Sequence, residues 1–273
     1  MESEIVNRKG ARKVQDVPEK VLHLLNKGEI ETVNLTEWLA IDHLLLVQHV
    51  FPNLGLGKNE VSAIVQAIQS NKKATAMNRT RVIGTSLYER LEDESSLEKM
   101  FEKLSTHSSD AIRAYAPFLI GLNDKLDIEQ KLEKARALIA DKHFGVREVV
   151  WMALRPEIDQ HLDAAIQFLS TWTSDQDENI RRFITESTRP RGVWCKHIER
   201  LKEHPELALS FLDPLKADGS KYVQDSVGNW LNDASKTKPQ FVIDLCDRWE
   251  KESPRKETIK IIKRARRTID KMS

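Results

Sequence analysis

The 273-residue sequence contains no uninterrupted apolar run that approaches the roughly 18 residues needed to span a membrane. Its N-terminal stretch, MESEIVNRKGARK, lacks the apolar core of a secretory signal. Both absences lead to the expectation of a cytoplasmic protein with no membrane partner. Cysteine is scarce: Cys195 and Cys246 have no close partner at zinc-ligand spacing, and the eight histidines form no His-x-x-x-His pair. No metal site is therefore expected. A dominant charge sign is also missing, since 43 basic and 42 acidic residues leave a formal net charge of +1. Any case for nucleic acid must come from where the charges lie rather than from their sum.

The distribution is uneven. Residues 251–273 (KESPRKETIKIIKRARRTIDKMS) carry nine Lys or Arg against three acids, whereas ERLEDESSLEKMFE (89–102) is acidic. Strand-like alternation is almost absent, and apolar residues recur at helical spacing in TEWLAIDHLLLVQHVF (36–51), NEVSAIVQAIQS (59–70), DAIRAYAPFLIGL (110–122) and HLDAAIQFLSTW (161–172). The fold class is all-α. Pro52, Gly57, Pro156, Pro190, Pro205, Pro214, Gly219, Pro239 and Pro254 are expected to punctuate the helices.

An internal repeat emerges when DAIRAYAP, FGVREVVWMALRP and ENIRRFITESTRP are superposed: the pairs Ile112-Arg113, Val146-Arg147 and Ile180-Arg181 lie 34 residues apart. Arg155-Pro156 and Arg189-Pro190 give the last two copies a second anchor, and SKYVQDSVGNWLNDASK is a looser copy with Val223-Gln224 in the anchor slot. Two helices per repeat at this period imply a HEAT-like α-solenoid, a right-handed superhelix of helix pairs. The expectation is one HEAT-like helical-repeat domain over 1–273, with divergent N-terminal helices over 1–105 and recognisable repeats over 106–273.

At roughly 100° per residue, Ile180, Phe183, Ile184 and Ser187 form the buried stripe of their helix, and Arg182, Glu186 and Arg189 fall opposite. In the preceding repeat Val146, Val149, Val150, Ala153 and Leu154 point inward, with Glu148, Met152 and Arg155 on the other face. In the following one Val223, Val227, Trp230 and Leu231 point inward, Asp225, Asn229 and Asn232 point away, and Asp233 sits on the flank. Stacked repeats would join these faces into one polar groove containing Glu148, Glu186 and Asp233. The structural alternative for Glu186 is an ordinary surface ion pair with Arg182, four residues earlier. Trp230 and Trp151 are expected to pack, whereas Trp194, past a proline break, could reach back over the groove.

With these residues in view, 141–270 resembles the HEAT-like-repeat DNA alkylation repair glycosylases, the AlkC/AlkD superfamily, and more closely its AlkC branch. The resemblance rests on IRRFITESTRPRGVW (180–194), YVQDSVGNWLNDASKTKP (222–239) and the basic IIKRARRTI (261–269). Ser187 stands where glycine is expected, and Gly192-Val193 where Leu-Pro is usual. The resemblance implies a monomeric enzyme, without metal or organic cofactor, that hydrolyses the glycosidic bond of cationic alkylated bases such as 3-methyladenine in double-stranded DNA. It further implies Glu148, Glu186, Asp233 and Trp194 as catalytic residues. Arg182, Arg189, Arg191, Lys263, Arg264 and Arg267 become the DNA-binding residues. The competing expectation is a non-catalytic HEAT-like scaffold that binds DNA or another protein.

Overall fold

The computed structural model of the chain describes residues 5, 7–72, 75–91, 93–193 and 195–271. Helices α1 (Glu19–Asn26), α2 (Leu35–Ala40), α3 (His43–Leu54), α4 (Lys58–Ser70), α5 (Ala76–Tyr88), α6 (Glu94–Ser105), α7 (Asp110–Arg113) and α8 (Ala116–Gly121) come first, followed by α9 (Ile128–Ile139) and the long α10 (Phe144–Gln160). The chain continues through α11 (Leu162–Ser170), α12 (Glu178–Ser187), α13 (Glu199–Glu203), α14 (Leu209–Leu215), α15 (Lys221–Ser235), α16 (Pro239–Glu252) and α17 (Lys256–Ala265). No strand occurs among the described residues, so the fold is all-α. Two compact units form, residues 1–125 with 141–153 and residues 126–140 with 154–273, so α10 begins in one and ends in the other.

Short polar side chains start the helices. Asn34, Asp42, Thr75, Asp93, Asp127, Asp177 and Ser220 each accept a backbone N–H from the first turn they precede, contributing about 1 kcal/mol apiece. Asp42 also explains a departure from the sequence pattern. The run 36–51 is two helices rather than one, because Ile41 is extended and Asp42 caps α3 through Leu44 N and Leu45 N. Residues 110–122 likewise divide at Ala114 and Tyr115 into α7 and α8. Three expected breakers do not break: Pro52, Pro156 and Pro214 lie inside α3, α10 and α14. Periodicity locates these prolines but cannot show that neighbouring turns tolerate the missing N–H bond.

The repeat reappears as a recurring hydrogen-bond pattern. Arg113, Arg147 and Arg181 each donate from Nη1 to the carbonyls six and five residues earlier, namely His107 and Ser108, Asp141 and Lys142, and Asp175 and Gln176. Gln224, in the anchor slot of the looser copy, donates from Nε2 to Asp218 O, again six residues back. The residue at that earlier position also turns the chain. Asp141, Asp175 and Asp218 accept the backbone N–H two residues on, and His107 does so through Nδ1. Each anchor thus ties its own helix to the loop that feeds it.

Within the first unit, Val149 and Ala153 of α10 join Trp38, Ala114 and Phe118 in an apolar cluster. In the second, Ile180, Phe183 and Ile184 of α12 and Val223, Val227, Trp230 and Leu231 of α15 are buried as their stripes predict. Trp230 meets Phe211 edge-on at 6.2 Å. The polar faces differ from expectation, because Arg155, Glu186 and Asn232, and Asp233 on the flank, are all buried. Loops returning over these helices cover residues that helical arithmetic on isolated segments leaves facing water.

Candidate active site

Helices α12, α15 and α17 pack in succession within the second unit. Thr185 and Ser226 join the first two through hydroxyls 2.6 Å apart. Gly228 lets α17 approach α15, since a Cβ there would lie 2.8 Å from the Arg264 side chain. Helix α12 ends at Ser187, just short of Arg189-Pro190-Arg191, and the acid and the bases of this segment converge at its C-terminal turn.

Glu186 is 6% exposed. Arg182 Nη2 lies 3.7 Å from its Oε1 and Arg189 Nη1 lies 3.7 Å from its Oε2. Both separations exceed hydrogen-bond length. The carboxylate therefore sits in a positive field with its lone pairs uncommitted among the described residues. The spacing expectation of an Arg182 pair is met in position, but not as a tight surface bridge.

Asp233 is bound quite differently. Its Oδ2 accepts from Arg189 Nε at 2.8 Å and lies 2.6 Å from Arg189 Nη2 in the same ion pair, and its Oδ1 accepts from Lys236 Nζ at 2.9 Å. Charge-assisted bonds of this kind are the strong ones, so Asp233 is saturated while Glu186 is not. Arg189 bridges the two acids. Arg191 leans on the same turn, donating to Asp233 O at 3.3 Å and Thr237 Oγ1 at 2.8 Å. Arg182 stacks its guanidinium 4.2 Å from the centre of the Tyr222 ring, a favourable cation–π arrangement. Glu186 and Asp233 are thus flanked by Arg182, Arg189 and Lys236, with Arg191 on the adjoining turn.

On α17, Lys263 is exposed, as is Arg267 just beyond it. Arg264 turns back to pair with Asp225 at 2.7 Å and approaches Asn229 Oδ1 at 3.4 Å. Asn232 fixes the following segment by accepting from Thr268 N at 3.1 Å and Thr268 Oγ1 at 3.0 Å. Glu148 belongs to the first unit, where it is half-buried and its Oε2 accepts from Trp151 Nε1 at 3.0 Å. Trp194 lies outside the described residues.

Lys236 and Tyr222 also belong to the cluster, although the sequence pattern does not assign them to it, and Arg155, expected on the polar face, reaches it from the buried side. Lys236 follows Asp233 by three residues, a helical pairing distance that was legible. Tyr222 precedes the anchor position of its repeat and carried no such signal. Chemically, the cluster offers one buried carboxylate free to orient water or oppose a developing cation, with cations around it suited to phosphate.

No family model matches the sequence. The uncharacterized protein YhaZ of Bacillus subtilis strain 168 is 32% identical over 203 residues, 71% of this chain and 53% of that protein, so the chain spans about half its length. Among solved structures, the alkylpurine DNA glycosylase AlkC of Pseudomonas fluorescens, bound to DNA containing an abasic site analog, aligns with a TM-score of 0.67 and 24% identity over 84% of this chain and 63% of that one. AlkD2 from Streptococcus mutans aligns with a TM-score of 0.60 and 24% identity over 76% of this chain and 97% of that one. The chain shares the HEAT-like helical-repeat fold of these two structures.

Proposed function

We propose that the chain is a DNA glycosylase that removes cationic alkylated bases of the 3-methyladenine kind from duplex DNA by hydrolysing the N-glycosidic bond. The observation that carries this proposal is Glu186, a buried carboxylate with uncommitted lone pairs between two arginines at 3.7 Å. The fold shared with an alkylpurine DNA glycosylase supports the same reading.

An N3-alkylated purine carries its own positive charge, so the electron pair of the breaking C1′–N bond leaves with a neutral base and little acid help is needed. Positive charge then grows on the sugar, as in glycoside hydrolysis. Glu186 opposes that charge, orients the attacking water and accepts its proton as the new C1′–O bond forms. Asp233 contributes by holding Arg189 in place. Arg182, Arg189 and Arg191 contact phosphates beside the lesion, and Lys263 and Arg267 extend the cationic track.

Incubation of the purified chain with methylated duplex DNA, followed by separation of free bases, tests the proposal. Release of 3-methyladenine is expected. Binding of the duplex with no base released would identify a non-catalytic DNA-binding scaffold instead.

A further inference from the structure

Arg155 occupies the same repeat offset as Arg189, 34 residues earlier, yet it is 3% exposed and has no carboxylate within ion-pair distance among the described residues. Its guanidinium is spent on backbone. Nη1 donates to Ser187 O at 2.8 Å, Nη2 to Arg189 O, and Nε to Lys196 O at 3.0 Å. These carbonyls lie at both ends of the loop that leaves α12. Other donors hold the carbonyls between them: Trp230 Nε1 donates to Thr188 O at 3.0 Å, and Ile198 N to Pro190 O at 3.1 Å. Gly192 tightens the loop further, because a Cβ there would stand 2.6 Å from Cys195 O and 2.9 Å from Lys196 O. The carbonyls of residues 187–190 are thus all held by groups outside the helix that precedes them.

We propose that Arg155 is the positioning residue of this site: its buried guanidinium fixes the backbone at Ser187, Arg189 and Lys196 and thereby sets Arg189 against Glu186 and Asp233. The proposal rests on the glycosylase reading for its chemical consequence. Three chain segments are tied by one planar group, a task for which lysine lacks the fork and an apolar residue lacks the donors. The carbonyl end of α12 also favours a cation, through the negative end of the helix dipole. A residue serving stability alone would not need to act on the very turn that carries the bridging arginine. Arg189 donates from Nε to Asp233, with Nη2 2.6 Å from the same oxygen and Nη1 3.7 Å from Glu186, on a backbone whose carbonyl Arg155 holds.

Arg155→Lys and Arg155→Ala test this, with thermal melting and circular dichroism defining the temperature range in which each variant is folded. Within that range, single-turnover release of 3-methyladenine at saturating enzyme is expected to fall about 100-fold, the usual cost of a small misplacement of catalytic groups. The slope of duplex affinity against salt should become shallower by about one for each phosphate that the displaced arginines no longer neutralise. Added methylguanidinium should restore release by Arg155→Ala and leave the unaltered protein unaffected. Unchanged release and salt slope in the folded variants would overturn the proposal, as would losses that follow the unfolded fraction and vanish on cooling. If the unaltered protein releases no base, the glycosylase reading fails by itself. Arg155 is then judged on the salt slope alone, where a shallower slope supports its role and an unchanged one rejects it.

Discussion

Glu186 and Asp233 are both buried acids beside Arg189, yet their bonding separates them. Asp233→Asn leaves Arg189 and Lys236 without their shared counter-charge, so it should cost about 3 kcal/mol of stability in urea titration. Glu186→Gln breaks no hydrogen bond and should cost less than about 1 kcal/mol. The spacing of Arg182, Glu186 and Arg189 made their proximity legible, and the repeat offset brought Asp233 near them. The inward turn of Arg155 was not legible, because it depends on the carbonyls of Ser187, Arg189 and Lys196 being brought together around its guanidinium. His43 offers a separate test. Burial, with Arg79 adding to it and Asp42 opposing, pushes its imidazole down to about 4, and Tyr115 Oη lies 2.7 Å from Nδ1. The folded state therefore binds fewer protons than the unfolded chain. The stabilising effect is complete above about pH 6.5 and is lost as pH falls toward the folded value. Urea stability measured from pH 7 to 4 should decline by up to about 3 kcal/mol more than in His43→Gln. Parallel curves would assign the acid sensitivity to other groups.

Among the elements, the recurring anchor shows why a 34-residue period survives in so varied a sequence. The period preserves a side chain that reaches back six residues in Arg113, Arg147 and Arg181, and Gln224 keeps the same reach in the looser copy that follows at a longer spacing. Asp218 serves two such roles, accepting from Arg181 Nε at 2.6 Å and from Ser220 N at 2.8 Å. Asp218→Ala should therefore cost about 3 kcal/mol and speed amide exchange in the first turn of α15. Exchange confined to its normal rate there would show that the loop holds without the anchor. Helix identity and the inward stripes were readable from apolar spacing alone. Helix ends were less so, since the break at Ile41 and the continuity through Pro52, Pro156 and Pro214 depend on caps and neighbouring turns.

For the molecule as a whole, a net charge of +1 averages over an uneven distribution, with nine Lys or Arg against three acids in residues 251–273. Lys263 and Arg267 are exposed, so Lys263→Glu with Arg267→Glu should weaken duplex binding about tenfold or more and flatten its salt dependence. The rate of base release at saturating enzyme should not change. A slowed chemical step would instead place these residues at the reacting sugar. The likeness to AlkC spans 84% of the chain and includes most of its length outside the segment 141–270 on which the sequence resemblance rested. Helical packing can be shared where the side chains that would reveal it in sequence have diverged.

In the proposed reaction Glu186 acts on the transition state rather than on the fold or on DNA affinity. Single-turnover release of 3-methyladenine by Glu186→Gln at saturating enzyme tests it most directly. A rate at least about 100-fold below that of the unaltered protein is predicted, with duplex affinity and melting temperature nearly preserved. Near-normal release by the variant would contradict the account and leave Glu186 as a structural partner of Arg182 and Arg189.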